Sequence, residues 1–451
     1  MRAVAAIARV SLQGALRSRL VVAMLGLLLL TVVVLPATIR GDGTLAGYTQ
    51  VQIRYGLGAA GMILTVMTLW AAAAAVSLDV ETRRVQTVVT KPVGPFTLWL
   101  GKWLGLCVMN AVLLAACGAV VFAMFLWKTR EGPWDPDEAR DFREHVRVAR
   151  IPVSPDLAHL DRRIAEEEEA IRRDPEAPVD VRDARAVREV ARQRAVAREL
   201  FVAPDSEKSW RFEPPRRIRT DRPLVLRFRL AAARMSMEPV EGAFRVQAGP
   251  QTTDLIPVAA PPNRTTTLTL PPLSLAPGQP VTVTFVNRDQ PAVFSAGEGL
   301  RLGVYETSFA VNYGRALLMM YVRLVFIAAL GVTAGALFSF PVAAFVTGCL
   351  VFFVAMTAFV RTTPDAAHSH GGPPPEASPW EAFANRVAGA IHPVFVPLTD
   401  PDYLEMVSTG ESVTWGLALR SLGFKIGVYG GLLALGATAV LRRRELGEAR
   451  A

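Results

Sequence analysis

The sequence predicts an α-helical polytopic membrane protein with six transmembrane helices and a large external α+β insert. Two observations support this fold class. The apolar residues, which make up 51% of the 451-residue chain, come in runs of about 20, long enough to cross a bilayer as helices. The charged residues are pooled between those runs. In the longest polar region the hydrophobic period then changes from that of a helix to that of a strand.

The N-terminal part predicts an interfacial helix and three spans. Residues 1–19 place four arginines among apolar residues, which predicts a basic amphipathic helix at the membrane surface. Apolar runs at 20–39, 55–78 and 101–127 predict the first three spans, and a short loop at 40–54 joins the first two. A cleaved signal peptide is the alternative interpretation of the run at 20–39, but this run is longer than the apolar core of an ordinary signal peptide.

The C-terminal part predicts three more spans. The runs 317–338 and 341–360 are joined by a very tight turn at Ser339-Phe340-Pro341, and the last run, 415–441, ends in three arginines. Six spans place both termini on one side of the membrane. Most of the lysines and arginines beside the spans fall on that side, which the positive-inside rule assigns to the cytoplasm.

A large polar region at 128–315 separates the third span from the fourth, and we expect it outside the membrane on the periplasmic face. Apolar residues at helical steps predict a helical hairpin at 156–200. From 210 to 305 apolar residues alternate between Pro and Gly clusters, which predicts a β-sandwich. We interpret the acidic run Glu166–Glu169 as a solvated helix face that pairs with facing arginines, and not as a metal site.

A second external stretch is predicted at 361–414, before the last span. His368 and His370 lie beside a Gly- and Pro-rich run, which we interpret as a flexible connector in preference to a metal site. Trp380–Phe395 is amphipathic and could lie on the outer leaflet. The chain thus divides into a first membrane part at 1–127, the insert at 128–315, and a second membrane part at 316–451.

The polar loop at 79–102, between the second and third spans, carries the most specific pattern. It runs from Glu81 and the pair Arg83-Arg84 through a short stretch with helical character to Lys-Pro-Val, and it closes with Leu-Gly-Lys. This order resembles the cytoplasmic coupling loop of ABC-2 type ABC transporter permeases. In that family the loop docks a separate ATPase subunit. The resemblance implies that the docking residues here are Glu81, Arg83, Arg84, Val85, Val88, Val89, Lys91, Pro92, Pro95 and Lys102.

The resemblance implies that the chain is the permease subunit of an exporter in the cytoplasmic membrane. ATP and Mg would then be bound by the partner ATPase, with no cofactor in this chain. The permease would work as a homodimer or paired with a second permease. The interfacial helix and the tight turn at 339–341 match the family's layout. The insert departs from it, since many relatives have only a short link there, and this leaves the transported substrate open.

The chain lacks the motifs of catalytic sites. It contains no G-x-x-x-x-G-K-[ST] phosphate loop, no G-x-S-x-G elbow and no H-E-x-x-H or zinc-type cysteine spacing. We therefore expect it to be no enzyme and to have no catalytic or metal residues. Its three cysteines fall in predicted spans and are interpreted as packing residues. The net charge of +9 reflects basic residues beside spans, so we expect a lipid partner and no nucleic acid.

Lys425, inside the sixth predicted span, has two interpretations. An intramembrane lysine is a functional candidate. Alternatively, the span begins after Lys425, or the Lys425 side chain extends to the outer interface, and this interpretation is preferred.

Two other functions remain open for the whole chain. The first is a membrane-anchored envelope scaffold or sensor that acts through the insert. The second is a secondary transporter, which the lack of an internal acid–base chain disfavours.

Overall fold

The computed structural model describes residues 2–38, 44–81, 94–131, 135, 142, 147–174, 184–215, 222–232, 238–273, 275–276, 278–288, 290–295, 299–362 and 398–443. The described residues form two compact units. The helical unit comprises the residues up to Arg147 and those from Ser308 onwards. The β-rich unit comprises Val148–Thr307.

The α-helices are numbered in chain order. They are α1 Arg2–Arg17, α2 Arg19–Thr38, α3 Leu45–Gln50, α4 Gly58–Glu81, α5 Pro95–Glu131, α6 Asp161–Arg173, α7 Ala184–Glu199, α8 Phe309–Leu337, α9 Phe340–Thr362, α10 Tyr403–Ser408, α11 Trp415–Leu422 and α12 Gly431–Arg443.

Two segments of π-helix interrupt the helical unit. Val51–Leu57 joins α3 to α4, and Gly423–Gly430 joins α11 to α12. The predicted loop at 40–54 is therefore wrong for its second half, because the chain is helical from Leu45 onwards. Thr49 and Gln52 are fully buried, so the helix extends beyond its apolar run.

Four helices of the described part are long and apolar enough to cross a membrane: Gly47–Asp79, Pro95–Arg130, Phe309–Leu337 and Trp415–Arg443. A fifth span is reached if α1 and α2 count as one, although they are bent by 71° at Ser18. The predicted combination of apolar helices with a β-rich region is confirmed. The number of six spans stays a prediction.

Helix α8 lies at the centre of the helical unit and is the most deeply buried of the four candidate spans. Small residues bring it against α4: a methyl group added at Gly331 would overlap Ala72, and one at Gly335 would overlap the Ala73 carbonyl. Such contacts allow close packing where lipid supplies no hydrophobic drive between helices. Phe122 and Phe125 of α5 pack against Phe309 at the other end of α8.

In the β-rich unit α6 and α7 pack against each other through Ile171, Val187 and Ala191. Two carboxylates of the acidic run pair with arginines of α7, although Glu167 is buried and the face is therefore not wholly solvated. Glu167 pairs with Arg198, and Glu168 lies 3.6 Å from Arg188.

Two antiparallel sheets follow. The strands are β1 Val148–Val153, β2 Phe201–Val202, β3 Glu207–Phe212, β4 Val225–Ala232, β5 Val240–Ala248, β6 Gln251–Thr252, β7 Ile256–Ala260, β8 Thr265–Thr269, β9 Val281–Asn287, β10 Ala292–Phe294 and β11 Leu300–Ser308. One sheet has the order β1-β11-β4-β10-β2, with β8 also paired to β4. The other has the order β3-β9-β5-β6, with β7 also paired to β5.

The two sheets share one aromatic core. Phe228 of the first sheet lies 4.8 Å from Phe244 of the second, measured between ring centroids, and Phe294 lies 5.3 Å from Phe285. The alternation of buried and half-buried residues along β9 explains why this segment forms a strand. Helix α7 is tied to this core through the buried carboxylate of Glu199, which lies 2.7 Å from Arg163 and 3.8 Å from Lys208. Burial lowers the pKa of Lys208, and Glu199 opposes that shift.

We predict that Phe244→Ala destabilises the β-rich unit by about 3–5 kcal/mol, because it removes a fully buried ring and leaves a cavity. Limited proteolysis of the full chain in detergent should show faster cleavage between residues 148 and 307. The control is Phe201→Ala, whose ring is 41% exposed. Equal cleavage rates in the two variants would contradict the shared core.

Candidate functional site

The structure describes the two ends of the predicted docking loop but not its centre. Residues 82–93 lie outside the described residues, and with them Arg83, Arg84, Val85, Val88, Val89, Lys91 and Pro92. Glu81 is the last residue of α4, where only its backbone is described, and Pro95 is the first residue of α5. Proline suits a first helical position because its missing N–H would have no intrahelical partner there.

Lys102 ties α5 to α4 beside this loop. Its side chain is buried, and its ammonium group donates to the Asp79 carboxylate and to the Ala75 carbonyl oxygen. A buried lysine needs such partners, because an unpaired charge in an apolar bundle costs several kcal/mol. Sequence reasoning selected Lys102 and missed Asp79. The sequence did contain a clue to this pair: Asp79 ends the second apolar run, and Lys102 begins the third.

Helix α1 packs closely against the same part of α5. A methyl group at Gly101 would overlap the Ile7 side chain, and one at Gly105 would overlap the Ala8 carbonyl oxygen. The two glycines therefore allow the backbone of α5 to approach α1 directly. This contact explains why the amphipathic N-terminal helix turns away from α2 and lies on α5.

Two tryptophans tie the start of α5 to α8. Trp99 donates from its indole N–H to the Thr333 hydroxyl at 3.1 Å, and Trp103 donates to the Val325 carbonyl at 3.0 Å. Their rings stack with centroids 5.5 Å apart. Thr333 in turn donates to the Leu433 carbonyl of α12 at 3.4 Å.

We call residues 95–105 with these partners the loop base. It joins α5 to α1, α4 and α8 immediately beside the 82–93 segment. An ion pair, two indole hydrogen bonds and close backbone contacts tie the start of α5 to these three helices.

A second polar group lies between α8, α9, the 398–404 segment and the second π-helix, around a cavity of about 360 Å³. We call this cavity the polar crevice. Lys425 is 1% exposed and donates to Asp400, whose other carboxylate oxygen accepts from Ser421 at 3.0 Å. Lys425 is thus paired inside the helical unit, and whether the membrane span begins before or after it stays a prediction. Its partner Asp400 lies 25 residues upstream, too far for any periodicity to reveal.

The first π-helix supplies a cation to the same segment. Arg54 lies 3.4 Å from Asp402 and 3.5 Å from Glu405. Arg323 of α8 hydrogen-bonds the Tyr403 hydroxyl, and burial raises the pKa of that hydroxyl. The short stretch 400–405 is thus held by cations from three separate helical elements.

The β-rich unit has a larger cavity, of about 570 Å³, between α7 and the sheet. Glu189, Arg192 and Gln193 give it a polar side, while Val196, Leu200 and Leu300 give it an apolar one. Such a cleft is of the size and lining of small-ligand sites.

Comparison with protein-family models, with curated proteins and with solved structures finds no match for this chain. Within the described ranges no group of three or more His, Cys, Asp or Glu side chains is arranged to hold a metal ion. His368 and His370, and the amphipathic stretch Trp380–Phe395, lie outside the described residues.

We predict that Lys425→Met destabilises the helical unit by about 3–5 kcal/mol, because Asp400 stays buried without its cation. The thermal midpoint of the purified full chain in detergent should fall. The double variant Asp400→Asn/Lys425→Met should recover most of the loss, since it removes both charges and keeps an acceptor for Ser421. A single variant as stable as the parent would contradict the pairing.

Proposed function

We propose that the chain is the transmembrane permease subunit of an ABC transporter of the ABC-2 type, and that it acts as an exporter. A separate ATPase subunit, which binds ATP and Mg, docks on the 79–102 loop. The permease moves its substrate across the cytoplasmic membrane as a homodimer or with a second permease. The chain itself performs no ATP chemistry.

The observation that carries this proposal is the loop base. A docking loop is useful only if its displacement reaches the spans, and residues 95–105 are bonded to α4 and α8 and packed on α1. A simple anchor has no need of a polar loop fixed in this way. The sequence order of the loop supplies the resemblance, and the loop base supplies the path of transmission.

The proposed topology has six spans: α2, α4 with its preceding π-helix, α5, α8, α9, and α11 to α12. Both termini and the 82–93 segment lie in the cytoplasm by the positive-inside rule. Residues 128–315 are then periplasmic. In the loop, Glu81, Arg83 and Arg84 make charged contacts to the ATPase. A short helix over 85–89 fills its groove, and Pro92 and Pro95 fix the exit into α5.

A scaffold or sensor that acts through the β-rich unit is the second candidate. The observation that favours it is the cleft of about 570 Å³ beside α7. This function needs no ATPase partner, so the presence or absence of a co-purifying ATPase distinguishes the two candidates.

We predict that Arg83→Glu/Arg84→Glu, and separately Glu81→Ala, remove a P-loop ATPase that co-purifies with the parent chain from its native membrane. Charge reversal puts like charges against the acidic partner surface that the arginines would contact. The control is Arg264→Glu, an exposed arginine of the β-rich unit. If no ATPase accompanies the parent, and envelope proteins bind the β-rich unit, the scaffold is the correct function.

We predict a different outcome for Lys102→Met. The resemblance implies a docking role for Lys102, but its side chain is buried against Asp79 and Ala75. We therefore expect the ATPase still to co-purify, while stimulation of ATP hydrolysis falls by roughly tenfold or more because that tie is lost. Turnover by the reconstituted complex measures this. The double variant Asp79→Asn/Lys102→Met removes both charges. It therefore tells whether the loss of stimulation comes from leaving the Asp79 carboxylate unpaired or from losing the link between α4 and α5. Full stimulation in both variants would show that the loop base transmits nothing.

A further inference from the structure

The polar crevice has an apolar wall built by two membrane helices. Phe326, Ile327 and Leu330 of α8 line one side, and Val351 and Val354 of α9 line the other. The cavity volume of about 360 Å³ lies at the lower end of the ~300–1,000 Å³ of ligand pockets. The wall therefore fits part of a hydrocarbon chain, and its polar end fits a small head.

Arg323 stands at the polar end of this wall. It lies one helical turn before Phe326 and Ile327, on the same face of α8, in the middle of a 29-residue candidate span. Its side chain is exposed, lines the crevice and hydrogen-bonds the neutral Tyr403 hydroxyl, and no carboxylate of the described residues lies within ion-pair distance of it. An exposed arginine at this depth needs an anion, and a guanidinium matches phosphate through two parallel N–H donors.

The other charges of the crevice limit what the anion can be. Lys425 is bound to Asp400 and is fully buried. Asp402 is 43% exposed and shares Arg54 with Glu405. The lining therefore carries two cations and two carboxylates. A head with negative charge alone would meet Asp402 unfavourably. A head with a phosphate and a primary ammonium would give Arg323 an anion and add a cationic donor beside Asp402, whose carboxylate already accepts from the Glu405 N–H and lies beside Arg54.

We propose that the polar crevice is a binding site for a zwitterionic aminophospholipid of the phosphatidylethanolamine type. Its phosphate accepts hydrogen bonds from Arg323, its ammonium donates to Asp402, and one acyl chain lies along Phe326, Ile327 and Leu330. A choline head has the same charge but no N–H donor for Asp402. This site does not rest on the proposed transport function, because it requires only that α8 and α9 face lipid.

The test is native mass spectrometry of the full chain, purified in detergent and titrated with phosphatidylethanolamine, phosphatidylcholine or phosphatidylglycerol of identical acyl chains. The expected result is one tightly retained phosphatidylethanolamine per chain, with the other two lipids retained less. Arg323→Gln should weaken that retention by roughly tenfold or more, since charge-assisted hydrogen bonds are lost. Arg420→Gln, an exposed arginine on α11 that does not line the crevice, should retain it like the parent.

A second variant keeps the test independent of any folding defect in Arg323→Gln. Leu330→Trp fills the apolar wall, leaves every charge in place, and should lower retention of the same lipid. Equal retention of all three lipids, preference for phosphatidylglycerol, or unchanged retention in both variants would each overturn the site. None of these outcomes depends on whether an ATPase binds the loop.

Discussion

The helical unit depends on one constraint: a charge placed inside an apolar bundle must find a partner there. Removing one member of a buried pair costs far more than an exposed pair contributes. Lys102 and Lys425 obey this constraint through Asp79 and Asp400. The first pair joins α4 to α5 at the two ends of the 79–102 loop, and the second joins the segment before the last candidate span to the second π-helix. The pairs thus specify which helices are neighbours, a task that apolar side chains in lipid perform poorly.

The two π-helical segments follow from the same constraint. A π-helix widens the turn and rotates the following side chains relative to an α-helix. Arg54 and Lys425 both lie in such segments, and both reach the acidic stretch 400–405. In a regular helix each cation would point in another direction relative to the apolar face. Both π-helical segments thus place a cation beside the acidic stretch 400–405.

Much of this architecture could be predicted from sequence, because apolar runs and strand alternation are local signals. The positions of α4, α5, α8 and β9 follow from them directly. The helical extension at 44–57 could not, because buried Thr49 and Gln52 resemble loop residues until their neighbours are known. The site was predictable only in part. Lys102 stood out as a basic residue at the start of a span, whereas the pairing of Lys425 with Asp400 depends on how distant segments pack.

Helix α8 connects the two polar sites. Thr333 and the Val325 carbonyl receive the indole N–H groups of the loop base, while Arg323, only two residues before Val325, faces the polar crevice. The same helix packs closely on α4 at Gly331 and Gly335, where an added methyl group would overlap Ala72 or the Ala73 carbonyl oxygen. One face of α8 is thus bonded to the loop base, and another lines the polar crevice. The contacts of the loop base and those of the crevice therefore lie close together on one helix, with Arg323 also bonded to Tyr403 of the 400–405 stretch.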